Sequence, residues 1–204
     1  MPSLDQRKIN FSKMKVCVYC ASSSKVADVY KTEAYRLGSS FADAGVACLY
    51  GGGSVGLMGE LSKAMVARHG VIKGVIPQFM VEQGWDNPEV ELLVVKTMHE
   101  RKAKMLESVD AAIALPGGVG TFEELMEAIT WKQLGIFLKP IVILNVDNYF
   151  GPFLEMMKKA VDERFMREEH LRLWSVVEHA ADVLPAIEHA PIWKSDEAIG
   201  IAAL

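Results

Sequence analysis

The feature that most constrains this chain is an alternation repeated along its length. Short apolar runs of strand length are each followed by a longer stretch with helical periodicity, and turn residues separate the two. Residues 15–21, 46–50, 71–76, 91–95, 110–115 and 141–146 read as strands, and 173–177 is a further short apolar run. Helical spacing covers 26–44, a segment ending near His69, 97–108, 122–134, about 152–165 and about 182–189. Gly45 and Gly70 stand where helices favour a terminating glycine. Runs such as Ala111–Leu115 and Ile141–Leu144 are apolar at every position, as strands covered on both faces must be. Such strands in β-then-α order predict an α/β fold: a single Rossmann-like domain, a parallel sheet with helices on both faces. No repeat, low-complexity tract or linker interrupts the pattern. One domain is expected over residues 14–190, with an N-terminal extension at 1–13 and a C-terminal tail at 191–204 that is an arm or disordered.

Charge narrows the class of partner. Lys and Arg total 22 against 26 Asp and Glu, a net charge of −4, so the chain lacks the basic footprint that a nucleic-acid polymer requires. One small phosphorylated ligand held locally remains compatible. The opening residues MPSLDQRKIN contain no apolar run of signal-peptide length, and no apolar stretch approaches the ~20 residues that span a bilayer. Three cysteines fit a reducing compartment better than a disulfide framework. Cys17 and Cys20 form a C-x-x-C inside a strand, where alternation sends the two side chains to opposite faces and spoils a redox pair or metal clip. A cytoplasmic protein without membrane partner, metal or cofactor is expected.

In a sheet of this kind, ligands sit beyond the carboxyl ends of the strands. Two glycine-rich loops occur there. The first, Gly51-x-Gly53-x-x-Gly56, formally matches the dinucleotide fingerprint, yet the acidic residue required about 20 positions on is missing from Val75-Ile76-Pro77-Gln78-Phe79. NAD binding is therefore not expected, although Gly52 and Gly53 still allow close approach of backbone to a ligand. The second loop runs Pro116-Gly117-Gly118-Val119-Gly120-Thr121 and opens a helix. Backbone N–H groups from Gly117, Gly118, Val119, Gly120 and Thr121, together with the positive end of the helix dipole, suit one phosphate. No Lys or Arg lies between Gly118 and Glu124. The lysine that reaches the outer phosphates of a triphosphate is thus absent, which favours a monophosphate and speaks against an ATPase.

Glu124 admits two readings. Thr121-x-x-Glu124 has capping-box spacing, and Glu123 would then be a first-turn acid stabilised by the dipole. Alternatively, a carboxylate one turn from a bound phosphate reaches the sugar attached to it. The segment Met98-His99-Glu100-Arg101-Lys102-Ala103-Lys104 follows a strand and begins at the same sheet edge. Its charges are either a solvated face or, at Arg101 and Lys102, a counterpart for an anionic ligand. Met98 reads as core or pocket wall.

Taken together, these residues resemble the LONELY GUY (LOG) family of cytokinin riboside 5′-monophosphate phosphoribohydrolases, often labelled lysine decarboxylase-like. PGGxGTxxE is matched from Pro116 to Glu124, MHxRKAxM from Met98 to Met105, and YGGGxxGLMG from Tyr50 to Gly59. The segment Ile129–Ile136, with Lys139-Pro140 and Leu144–Val146, is also similar. The resemblance implies hydrolysis of the N-glycosidic bond of a nucleoside 5′-monophosphate, isopentenyladenosine monophosphate or AMP, to free base and ribose 5-phosphate. It implies Arg101 and Glu124 as the catalytic pair. Ligand contacts are expected from Lys102, Glu123, Ser22, Met98, Gly52 and Gly53 beside the phosphate loop, in a homodimer. Departures fall at Ala21, at Asp147-Asn148-Tyr149 and, more widely, across Gln78–Val90, which approaches the base in this family. A general purine nucleotide nucleosidase is the alternative enzyme, and a non-catalytic nucleotide or molybdenum-cofactor carrier the alternative of another class. Lysine decarboxylation is discounted, since no lysine occupies a recognisable Schiff-base setting.

Overall fold

The computed structural model describes residues 9–202. Strands and helices alternate as the periodicity predicts: β1 (Lys15–Tyr19), α1 (Asp28–Ala44), β2 (Ala47–Tyr50), α2 (Gly56–Ala67), β3 (Ile72–Pro77), α3 (Gln78–Glu82), β4 (Glu91–Val95) and α4 (Met98–Leu106) form the first half. The second half comprises β5 (Ala111–Ala114), α5 (Val119–Gln133), β6 (Ile141–Leu144), α6 (Gly151–Asp162), β7 (Ser175–Val177), α7 (Val183–Glu188) and α8 (Ser195–Ala202). The seven strands make one sheet in the order β4-β3-β2-β1-β5-β6-β7, and every pairing is parallel.

Side-chain alternation on β1 divides the interior into two cores. Val16, Val18 and Cys20 face a layer built by Leu37 and Phe41 of α1, Leu57, Leu61 and Met65 of α2, and Val183 and Ile187 of α7. Cys17 and Tyr19 face the opposite layer, built by Met105 and Leu106 of α4, Leu125, Ala128 and Ile129 of α5, Met157 of α6 and Ala198 of α8. Cys17 and Cys20 therefore belong to different cores, as strand alternation requires, and all three cysteines are buried and free. Gly45 ends α1 with φ of 71°, the left-handed cap its position predicted.

Three features differ from the expectations. Helix α3 lies within the connection after β3, where only loop was expected; at five residues it is too short to show a helical period. Among the described residues of the C-terminal segment, 191–202, the chain is packed rather than a free arm or disordered: Trp193 and Ala198 are buried, and α8 docks against the end of α5 near Gly135. At the other end, Ile9 and Phe11 of the supposed extension pack on the first core, while residues 1–8 lie outside the described part. Among the described residues, no helix is long and apolar enough to cross a membrane.

Candidate active site

The strand order reverses at β1: β2, β3 and β4 extend to one side of it, and β5 and its successors to the other. Crevices for ligands open beyond the carboxyl ends of strands at such a switch point. Here three loops meet. The Ala21 amide after β1 donates to the Pro116 carbonyl after β5 (3.2 Å), and the Ala21 carbonyl accepts from the Met58 amide in α2 (3.1 Å). Together the loops enclose a cavity of about 670 Å³, within the usual range for small-ligand sites. Gly118, Gly120, Thr121, Arg101 and Glu124 line it, as do the apolar residues Met58, Ile76, Met80, Trp85 and Met98.

The second glycine-rich loop opens α5, with one correction to the expected helix start. Gly118, not Thr121, is the N-cap of α5, with extended backbone and no side-chain cap. Val119, Gly120 and Thr121 are therefore the first three helical residues, whose amides have no carbonyl one turn back to bond. The first turn of α5 carries no acid, so no first-turn carboxylate offsets the positive helix end beside the cavity. The capping-box reading of Glu124 falls with this shift, because Glu124 lies in the second turn and its side chain is engaged elsewhere.

That partner is Arg101. Its Nη1 donates to Oε1 of Glu124 at 2.6 Å, and its Nε donates to the Val75 carbonyl at 3.0 Å. Both side chains are nearly buried, 7% and 6% exposed, yet both border the cavity. Helix α4 sets the arginine in place through local chemistry. Oγ1 of the N-cap Thr97 accepts the Glu100 amide at 3.1 Å, and the Glu100 carboxylate accepts the Lys96 amide at 2.8 Å. Gly51 completes the cradle: a Cβ there would lie 2.7 Å from Nη2 of Arg101. Burial pushes the Glu124 carboxyl above the usual glutamate range, against the downward pull of the adjacent guanidinium. Burial likewise raises the thiols of Cys17 and Cys20 well above the ordinary value. Cys20, on the cavity wall, is thereby held protonated and is a poor nucleophile.

The structure divides the sequence-expected contacts. Ser22, Gly53, Met98, Gly118, Gly120 and Thr121 border the cavity with Arg101 and Glu124. Lys102 and Glu123 do not: Lys102 bonds to Glu123 and sits 3.2 Å from Glu127, so each has its countercharge outside the cavity. The Glu123 bond, followed by Glu127, holds the Lys102 ammonium above its ordinary pKa. Gly52 turns back on β3, beside Ile76 and Gly74. Gly117 offers its carbonyl to the Tyr149 hydroxyl at 2.5 Å, and the Val119 side chain points to solvent, 85% exposed, leaving only its amide for a ligand. The solvated-face reading of α4 thus fails for Arg101, which is buried, and holds for His99 and for Lys104, paired with Glu107. Met80 and Trp85 were not singled out in the sequence: the resemblance pointed only to the connection Gln78–Val90 as a whole, and in the structure they reach the cavity from α3 and from the chain that follows it.

Comparison with known proteins places the chain among relatives. A family model described as "Possible lysine decarboxylase" matches residues 58–187, although no lysine borders the cavity among the described residues. The cytokinin riboside 5′-monophosphate phosphoribohydrolase LOG2 of Arabidopsis thaliana is 40% identical over 91% of this chain and 86% of its own. The probable cytokinin riboside 5′-monophosphate phosphoribohydrolase LOGL5 of Oryza sativa subsp. japonica is 42% identical over 85% of this chain and 71% of its own. Among solved structures, the molybdenum cofactor carrier protein of Chlamydomonas reinhardtii superposes with a TM-score of 0.65 at 23% identity, covering 86% of this chain and 96% of that one. That likeness shows the shared fold alone. With matched motifs, long alignments and a joined Arg101–Glu124 pair, the chain belongs to the LOG family of phosphoribohydrolases, which the "Possible lysine decarboxylase" model also covers.

Proposed function

We propose that this protein hydrolyses the N-glycosidic bond of adenine-type nucleoside 5′-monophosphates, cytokinin riboside 5′-monophosphates and AMP, to free base and ribose 5-phosphate. The observation that carries the reading is a buried carboxylate–guanidinium pair opening onto the same cavity as a helix N-terminus with no side-chain cap and no first-turn acid. The amides of Gly118–Thr121 and the Thr121 hydroxyl hold the 5′-phosphate, which needs no lysine. The ribose then lies against Glu124, and the apolar wall of Met58, Ile76, Met80 and Met98 is left for the base.

As the C1′–N bond breaks, its electron pair leaves with the base and cationic character grows on the ribose. Glu124, ionised, stabilises that charge through the ribose hydroxyls and orients the water that adds to C1′. The leaving base takes up the proton that the water gives up. Arg101 cannot act as an acid, since a guanidinium stays protonated in proteins. It fixes Glu124 in one position and offsets the burial that would otherwise favour its neutral form. A cytoplasmic location and a homodimer complete the reading.

A panel of nucleoside 5′-monophosphates, assayed for free base by chromatography, tests the proposal. Release of base with an equal amount of ribose 5-phosphate is expected from AMP and isopentenyladenosine monophosphate. Equal or better turnover of unrelated purine nucleotides would favour a general nucleosidase. Binding without release would mark a carrier, and cadaverine from lysine with pyridoxal phosphate would overturn the assignment.

A further inference from the structure

Trp85 is 57% exposed, yet it borders the catalytic cavity. It is the exposed member of four tryptophans, the others being buried or half-buried. Among the described residues its indole stacks on no other aromatic ring; the ring contacts gather around Phe122, Tyr149, Phe150 and Phe153. A large apolar ring left in water beside a site is costly unless something covers it.

The backbone beneath this side chain is nevertheless firmly held. Gly84, with φ of 69°, turns the chain after α3, and the Trp85 amide donates to the Met80 carbonyl at 3.1 Å. Two residues on, the side chain of Asn87 is buried and donates to the Tyr50 hydroxyl (3.1 Å) and to Oγ of Ser62 (3.0 Å). Its oxygen accepts the Glu89 amide at 3.0 Å. The connection is thus pinned to β2 and α2, and the Trp85 carbonyl runs alongside Gly53 of the first glycine loop. A pinned backbone carrying an uncovered indole at a nucleotide-sized cavity is a platform for a planar ring.

We propose that Trp85 stacks on the base of the bound nucleotide and is a determinant of affinity for the base, an inference that rests on the nucleotide reading above. The phosphate and ribose are held at the α5 end of the cavity, so removing the indole weakens ligands that carry a base and spares those that do not. Steady-state cleavage of AMP by wild type, Trp85→Ala and Trp85→Phe tests this, with ribose 5-phosphate as the competing product. Stacking of ordinary strength predicts that Trp85→Ala raises KM for AMP about tenfold or more, with kcat changed far less. The inhibition constant of ribose 5-phosphate stays within about twofold, and Trp85→Phe recovers most of the loss. AMP quenches the exposed-tryptophan emission of wild type, ribose 5-phosphate does not, and Trp85→Phe abolishes the quenching.

An unchanged KM in Trp85→Ala overturns the inference, as does equal weakening of AMP and ribose 5-phosphate, which would mark Trp85 as structural. If wild type binds AMP without cleaving it, the catalytic reading fails. Calorimetric titration of AMP and ribose 5-phosphate into the same variants then decides the stacking separately. If wild type binds no AMP, both fall.

Discussion

Lys132 offers a quantitative test of how the helix carrying Glu124 is built. It lies in the last turn of α5, only 2% exposed, and it takes part in no ion pair among the described residues. Burial alone drives its ammonium from the ordinary 10.5 down to about 7. At 1.36 kcal/mol for each unit of pKa, that gap corresponds to roughly 5 kcal/mol of penalty on the charged folded form. The sign follows from proton counts. Between about pH 7 and 10.5 the unfolded chain holds a proton that the folded chain has given up, so stability rises with pH across that window. Below pH 7 both forms are charged and the penalty is constant; above 10.5 both are neutral and it vanishes.

Replacing Lys132 by Met keeps the length of the side chain and removes the charge. Urea unfolding of wild type and Lys132→Met at pH 7, 8 and 9 should show the variant more stable by several kcal/mol at pH 7. The advantage should shrink by roughly 2–3 kcal/mol by pH 9. Groups titrating in both proteins cancel in the difference. A stability difference that is flat with pH would refute the reasoning, since it would mean that the ammonium keeps its proton in the folded state by reaching water or a countercharge.

Two further substitutions probe the site. Gly51→Ala places a methyl group 2.7 Å from both Nη2 of Arg101 and Cε of Met58 while leaving the Arg101 and Glu124 side chains chemically unchanged. It should lower kcat for AMP by about tenfold or more, as a small misplacement of a catalytic group does, while Tm moves by only a few degrees. Equal kcat would show that Arg101 has room to shift without cost. Lys102→Ala should leave KM for AMP within about threefold, because Lys102 faces Glu123 and Glu127 rather than the cavity and surface pairs contribute little. A much larger rise in KM would return Lys102 to the phosphate site.

The sequence disclosed the parallel sheet because its strands are apolar on both faces and its helices are closed by glycines such as Gly45. That the second glycine-rich loop opens a helix was legible for a related reason: its glycines follow an apolar strand and precede a segment of helical period. The true start of α5 was not legible. Thr121-x-x-Glu124 has capping-box spacing, and only the extended backbone at Gly118 moves the cap three residues upstream and frees Glu124 for Arg101. Whether the charges of α4 face water or a ligand is a question of rotation about a helix axis. The sequence placed Arg101 and Lys102 side by side, yet consecutive helical residues point about 100° apart, so one enters the cavity and the other meets Glu123. Met80 and Trp85 were not singled out individually, because the connection Gln78–Val90 to which they belong has no period from which to read which side chains face the cavity. The tail resisted for a similar reason, since α8 is a short helix whose apolar face shows only when docked on α5.

The account stands or falls on the Arg101–Glu124 pair as the centre of N-glycosidic hydrolysis. The most direct measurement is release of base and ribose 5-phosphate from isopentenyladenosine monophosphate and AMP by wild type and Glu124→Gln, with folding of both checked by circular dichroism. The account predicts equimolar products from wild type and a fall of about a thousandfold or more in kcat for the folded variant, the scale on which one preorganised electrostatic group contributes. Near-wild-type release by Glu124→Gln, or no release by the wild-type protein, would contradict it.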